Sequence, residues 1–321
     1  MYKTFLIFIS FLVFSISTSS FASTPLVTVD WLSTKLDDEN IKILDIRNKI
    51  DKGGIDVFLK GHIPGSIHSD YLKDGWRVKR DNIVGLLPSK KQFKNLIESI
   101  GITNDDHVII VPAGVSSTDF GSAARVYWTL KIYGHKNLSI LDGGYAYWKS
   151  KFPNLIQNKN YKEPNKSDYI ASYNSSYYIS ADEVIEHINQ GNGLLIDART
   201  VLQWRGKEKH PASVKSGRLP TSILMPQEDN YDKKNNKLKD ITQLKILYKN
   251  IKDKSIVSYC NTGHWAATNW FVLSELLGRK NVKLYDGSMV EWSSNPNLPI
   301  VTEIKKIDDI KYWFKSIIKN I

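Results

Sequence analysis

Sulfur is scarce in this sequence: one cysteine, Cys260, and three methionines stand among 321 residues. A single thiol excludes an internal disulfide. Seven histidines scattered without ligand spacing leave no zinc-type site, so neither a metal nor a cofactor is expected. Acidic residues are outnumbered: 33 Asp and Glu against 44 Lys and Arg give a net charge of +11. No nucleic-acid motif accompanies that charge, and no nucleic-acid partner is expected. The surplus suits anionic small molecules, acidic partners or a lipid surface. Long apolar runs are missing too, and the longest, residues 5–16, is too short to span a bilayer comfortably.

That run has another reading. Lys3 precedes it and Ser20-Phe21-Ala22 follows as a small-x-small cleavage site, the three parts of a secretory signal over residues 1–22. An uncleaved anchor is the alternative. Cleavage removes Lys3 and no acid, so +11 becomes +10, and it places the mature protein in an exported compartment, the bacterial periplasm. What remains, with nine Trp and sixteen Tyr in the chain, has the composition of a folded globular protein.

Cys260 lies in an informative stretch. Residues 256–259 read as a buried strand, and a helical pattern through Trp270, Phe271, Leu273, Leu276 and Leu277 stops at Gly278. The thiol therefore falls on a loop between a strand end and a helix start, where unpaired amides and the helix dipole stabilise a thiolate. A buried inert cysteine is the other reading.

The series around that loop occurs twice. Asp45-x-Arg47 ends one strand and Asp197-x-Arg199 another, shifted by 152; Pro64 and Pro220 are shifted by 156; Gly134 and Gly278, and Trp148 and Trp292, by 144. Ser89 is read as capping a helix at 90–100, Asp30 one at 31–36, and Ser180 as opening a capping box with Glu183. Further helices are read at 122–133 and 241–248, and strands at 107–111, 138–141 and 282–285. Strands alternating with helices predict an α/β fold: two copies of one domain, each a mainly parallel sheet flanked by helices on both faces. The copies are placed at 26–150 and 177–300, with a polar linker at 151–176. A tail at 301–321 follows, whose Ile307, Ile310, Phe314 and Ile317 mark an amphipathic helix packed on the body or lying on a membrane surface.

In this order and twice over, the Asp-x-Arg pairs, Gly61-His-Ile-Pro-Gly-Ser66, the strand–Cys260–helix unit and the Asp-Gly…Trp endings at 142–148 and 286–292 resemble a tandem-domain rhodanese. That sulfurtransferase family includes thiosulfate and mercaptopyruvate sulfurtransferases. The resemblance implies a catalytic second copy and a first copy that has lost its cysteine, with Pro112 or Ser116 opposite Cys260 and no acid–base partner for Ser117. It implies that Cys260 takes sulfur from a small donor as a persulfide and passes it to cyanide, a thiol or a protein thiol. Loop residues Asn261, Thr262, Gly263, His264, Trp265 and Ala266 would surround that sulfur.

Two departures from the family pattern bear on the donor. His264 and Trp265 stand where thiosulfate-type members carry a basic residue; His264 either charges below about pH 6.5, donates a hydrogen bond while neutral, or has no role, and Trp265 either narrows the mouth or packs on the first copy. Gln203 stands where a substrate-facing arginine is usual, with Arg205 two residues on as its replacement. Asp197 and Arg199 are read as a structural ion pair, and His62 as ordering its own loop. A cysteine phosphatase is excluded, because the first arginine after Cys260 is Arg279. The rival to an enzyme is a non-enzymatic persulfide carrier or binding protein.

Overall fold

The computed structural model describes residues 23–303 apart from 159, 160, 192, 253 and 254. The leader at 1–22 and the amphipathic pattern from residue 304 onward lie outside the described residues.

The first copy runs β1 (Leu26–Val27), α1 (Val29–Ser33), β2 (Ile41–Asp45), α2 (Ile55–Lys60), β3 (Ile67–His68), β4 (Val78–Arg80), β5 (Ile83–Leu86), α3 (Lys90–Ser99), β6 (His107–Val111), α4 (Ser117–Ile132), β7 (Leu138–Leu141) and α5 (Gly144–Lys151). The second runs α6 (Ala181–Gln190), β8 (Gly193–Asp197), α7 (Val201–Trp204), β9 (Ile223–Leu224), β10 (Tyr231–Asp232), β11 (Lys237–Leu238), α8 (Ile241–Leu247), β12 (Ser255–Tyr259), α9 (His264–Phe271), β13 (Val282–Leu284) and α10 (Ser288–Ser294).

Strand order is β1-β7-β6-β2-β3 in the first sheet and β13-β12-β8-β9 in the second, every pairing parallel. A single parallel bridge from Tyr178 to Leu284 stands where β1 pairs with β7. The copies also share their hydrogen bonds. Arg47 donates to the Gly61 carbonyl at 2.9 Å, and Arg199 to that of Gly217 at 2.8 Å. The Trp148 indole donates to Leu155 at 2.9 Å, and that of Trp292 to Pro299 at 2.8 Å. The repeat read in the sequence is thus a repeat of contacts.

Ser89 and Ser180 cap their helices as read. Two starts differ. α1 is capped by Thr28, whose hydroxyl accepts the Trp31 N–H, and Asp30 sits inside the first turn. α4 begins at Ser117 rather than 122, because Ser116 caps it and the Phe120 amide bonds to the Ser116 carbonyl. α4 is buried on nearly every side, so its sequence has no apolar stripe from which to read its start.

α4 and α9 lie side by side between the two sheets. Tyr127 meets Phe271 edge-on at 5.0 Å, and Phe120 meets Phe271 at 5.9 Å. One apolar core therefore runs from Leu44 and Ile110 in the first copy to Ile256 and Trp270 in the second. Polar ties reinforce it: Glu275 accepts from Tyr127 and Lys131, both at 2.9 Å. The stretch between the copies also packs, with Tyr169 buried against Phe93 and His135 of the first.

Candidate active site

Cys260 follows the last residue of β12 and is 2% exposed. The loop carbonyls are turned toward α10, where the Met289 and Val290 amides donate to the Cys260 and Asn261 carbonyls at 3.1 and 3.0 Å. Ser288 holds the loop from beneath: its hydroxyl accepts the Cys260 N–H at 3.0 Å and the Gly263 N–H at 3.3 Å, and donates to the Tyr285 carbonyl at 2.7 Å. Ser288 keeps φ at +48°, where its equivalent in the first copy is Gly144. The sequence reading missed Ser288; the break in the repeat at that position was the available signal.

With the carbonyls taken, the amides of Asn261, Thr262, His264, Trp265 and Ala266 donate to no protein acceptor among the described residues. They form an open set of N–H donors around the thiol at the start of α9, suited to a sulfur anion or an oxyanion. Gly263 makes the turn possible with φ at +68°, and a Cβ there would lie 2.3 Å from Arg125 Nη1.

A 280 Å³ cavity opens onto Cys260 between the copies. Asn261, Thr262, His264, Trp265 and Gln203 line it from the second copy; Arg77, Val84 and Thr118 from the first. Clefts of 680 and 770 Å³ elsewhere touch none of the loop residues.

His264 is buried, its Nε2 2.8 Å from the Thr118 carbonyl and its Nδ1 2.8 Å from the Tyr71 hydroxyl. A carbonyl only accepts, so Nε2 carries the proton and Nδ1 accepts from Tyr71. Burial, reinforced by Arg77, holds its pKa down at about 3. The reading of His264 as a cation below pH 6.5 is therefore corrected: it is a neutral clasp between the copies. The two readings of Trp265 merge, since it lines the cavity while its Nε1 donates to Thr118 Oγ1 at 3.2 Å.

Ala266 is fully buried and does not line the cavity. Gln203 reaches it and accepts from Asn261 Nδ2 at 3.0 Å. Arg205 does not: it caps α7, about half exposed, and pairs with Glu303 at 3.3 Å. Two residues along a short helix rotate a side chain by more than half a turn, so proximity in sequence failed here. Asp197 and Arg199 form the buried pair expected of them, at 2.6 Å, and Asp197 also accepts from Tyr259, next to the thiol, at 2.8 Å. His62 bonds the Phe58 carbonyl within its own region.

The first copy places Pro112 opposite Cys260, because the Tyr145 and Ala146 amides hold the Pro112 and Ala113 carbonyls, both at 2.9 Å, as Met289 and Val290 hold those of Cys260 and Asn261. Here three of the loop amides are filled. The Asp119 carboxylate accepts from Ala113 at 3.0 Å, Gly114 at 2.6 Å and Val115 at 3.2 Å. Ser117 merely accepts from Gln227 at 3.0 Å.

A parallel-sheet domain in two copies, the second carrying a strand–cysteine–helix loop, is the tandem rhodanese architecture. The family model for the rhodanese-like domain matches residues 28–151 and 180–295, and the chain belongs to that family. The 3-mercaptopyruvate sulfurtransferase of Escherichia coli K12 is 27% identical over 87% of this chain and 98% of its own length. A sulfur carrier protein, TtuD, of Thermus thermophilus is 29% identical over 86% of this chain and 95% of its own length. The crystal structure of SseA from Escherichia coli, described as a 3-mercaptopyruvate sulfotransferase, superposes with a TM-score of 0.70 at 25% identity, covering 83% of this chain and 99% of that one.

Proposed function

We propose that the protein moves a sulfane sulfur from thiosulfate or a related donor to a thiophilic acceptor through a persulfide on Cys260, and that it does so after export. Its family and the names of its relatives make it a sulfurtransferase of the thiosulfate/3-mercaptopyruvate type. The observation that carries the assignment to Cys260 is the open set of loop amides around the one thiol of the chain.

The Cys260 thiolate attacks the outer sulfur of thiosulfate, a new S–S bond forms, and the old one breaks with its electron pair leaving on sulfite. With 3-mercaptopyruvate the C–S bond breaks, the carbon takes the electron pair and the thiol proton, and pyruvate leaves. Either way Cys260 becomes a persulfide anion, which the amides of Asn261, Thr262 and the first turn of α9 stabilise. An acceptor thiolate or cyanide then attacks the outer sulfur and regenerates the thiolate. The neutral His264 and Trp265 position the loop and wall the cavity.

Turnover of thiosulfate or 3-mercaptopyruvate with cyanide should be measurable and should vanish in Cys260→Ser; full activity in that variant refutes the mechanism. The likeness to TtuD favours one second reading, a carrier that holds the persulfide for a partner thiol. It predicts a protein isolated one sulfur atom heavier at Cys260 with negligible turnover. For export, sequencing of the cell-expressed protein should find Ser23 at the amino terminus; an intact Met1 sinks that part.

A further inference from the structure

Donors of the proposed kind are anions, and among the described residues lining the cavity the second copy supplies no cation to meet them. Gln203 is neutral, Arg205 faces Glu303, and His264 is held uncharged. His210, at the cavity wall, accepts the Ala212 amide on Nδ1 at 3.2 Å and is pushed below its ordinary pKa by burial, then by Arg77 and Lys209.

One lining residue is a cation, and it belongs to the first copy. Arg77 immediately precedes β4, and its Nε is buried without a hydrogen-bond partner. Its Nη2 donates only a long hydrogen bond, 3.5 Å, to the Thr262 carbonyl, and the guanidinium also bonds the Tyr71 side chain, its carbon 5.5 Å from the centre of that ring. It shares no ion pair with a carboxylate among the described residues. The seat is made by backbone. Gly85, with φ at +90°, lies where a Cβ would come within 2.5 Å of Arg77 Nη2 and 2.8 Å of the Thr262 carbonyl. A partly buried guanidinium with donors to spare, facing the same cavity as a thiol, is the group that binds a carboxylate or sulfonate.

We propose that Arg77 determines donor specificity: it holds the anionic oxygen group of the sulfur donor across the cleft, in place of an arginine on α7. This rests on Cys260 being the nucleophile, and it gives the first copy a direct part in substrate binding.

The test is steady-state kinetics of Arg77→Gln and Arg77→Lys with thiosulfate and with 3-mercaptopyruvate as separate arms. Arg77→Gln should raise the donor KM about tenfold or more with kcat little changed, the pattern of lost uniform binding. Arg77→Lys should recover part of the loss, and the fall of wild-type kcat/KM with added salt should flatten in Arg77→Gln. A rise with only one donor supports the proposal and identifies which anion Arg77 holds. An unchanged KM for both donors in Arg77→Gln overturns it. Mass spectrometry separates this from failure of the nucleophile assignment: saturating donor should still load Cys260 in Arg77→Gln, whereas a wrong nucleophile leaves Cys260 unloaded in the wild type as well.

Discussion

The loops after β6 and β12 are built alike and occupied differently. Both hang their carbonyls on the amides of a following helix and both lead into a buried helix between the sheets. After β6 the third residue of the helix is Asp119, which folds its carboxylate back onto three loop amides. After β12 the same helical position is Ala266, and the amides stay open beside Cys260. The first copy thus carries its own anion, whereas the second leaves room for one from outside. Loss of the cysteine is only half of what separates a supporting copy from a working one; the other half is a carboxylate.

The inactive copy is still tied to the site. Thr118, beside Asp119, receives His264 and Trp265, and Arg125 lies under Gly263 while bonding the Gly85 carbonyl at 2.9 Å. Fixing the first turn of α4 with an internal anion fixes the surface on which the reactive loop rests.

The largest effect should come from Gly263→Ala, which forces a side chain into a left-handed turn and against Arg125. Turnover should fall roughly a hundredfold from loop displacement, and the melting temperature should drop with it. Asp119→Ala comes next. Three amides lose their acceptor, so chemical denaturation should show a loss of ~1–3 kcal/mol, and donor should still load a single sulfur per chain.

His264→Gln should act through pH. The folded pKa of about 3 lies below the ordinary 6.5, so the unfolded chain binds the proton first as pH falls. Stability from the neutral imidazole is complete above pH 6.5 and is lost progressively toward pH 3, at ~1 kcal/mol per pH unit. Denaturation curves across that window should be flatter in His264→Gln than in the wild type. The smallest effect belongs to Arg205→Ala, where the donor KM should change less than about twofold, because a half-exposed pair with Glu303 contributes little.

Much of this was legible in the sequence because it is local and periodic. The Asp-x-Arg strand ends, the capping residues Ser89 and Ser180, and the cysteine between strand and helix each carry their signal within a few residues. What was not legible depends on partners distant in sequence. That Asp119 fills its own loop needs the helix to begin at Ser117, and the full burial of α4 hides that start. His264 is neutral because Tyr71 and Thr118 of the other copy enclose it, and Arg77 reaches Cys260's cavity only through the packing of the two copies. Arg205 fails for a simpler reason: direction along a four-residue helix is not settled by its neighbours in the chain.

The central claim is that an open amide set, rather than the thiol alone, makes the second copy competent. Ala266→Asp tests it by giving α9 the residue α4 already has. Wild type and variant should be incubated with thiosulfate and the peptide carrying Cys260 weighed, with circular dichroism confirming that both are folded. The wild-type peptide should gain the mass of one sulfur atom and the variant's should not; equal loading of the two would contradict the account.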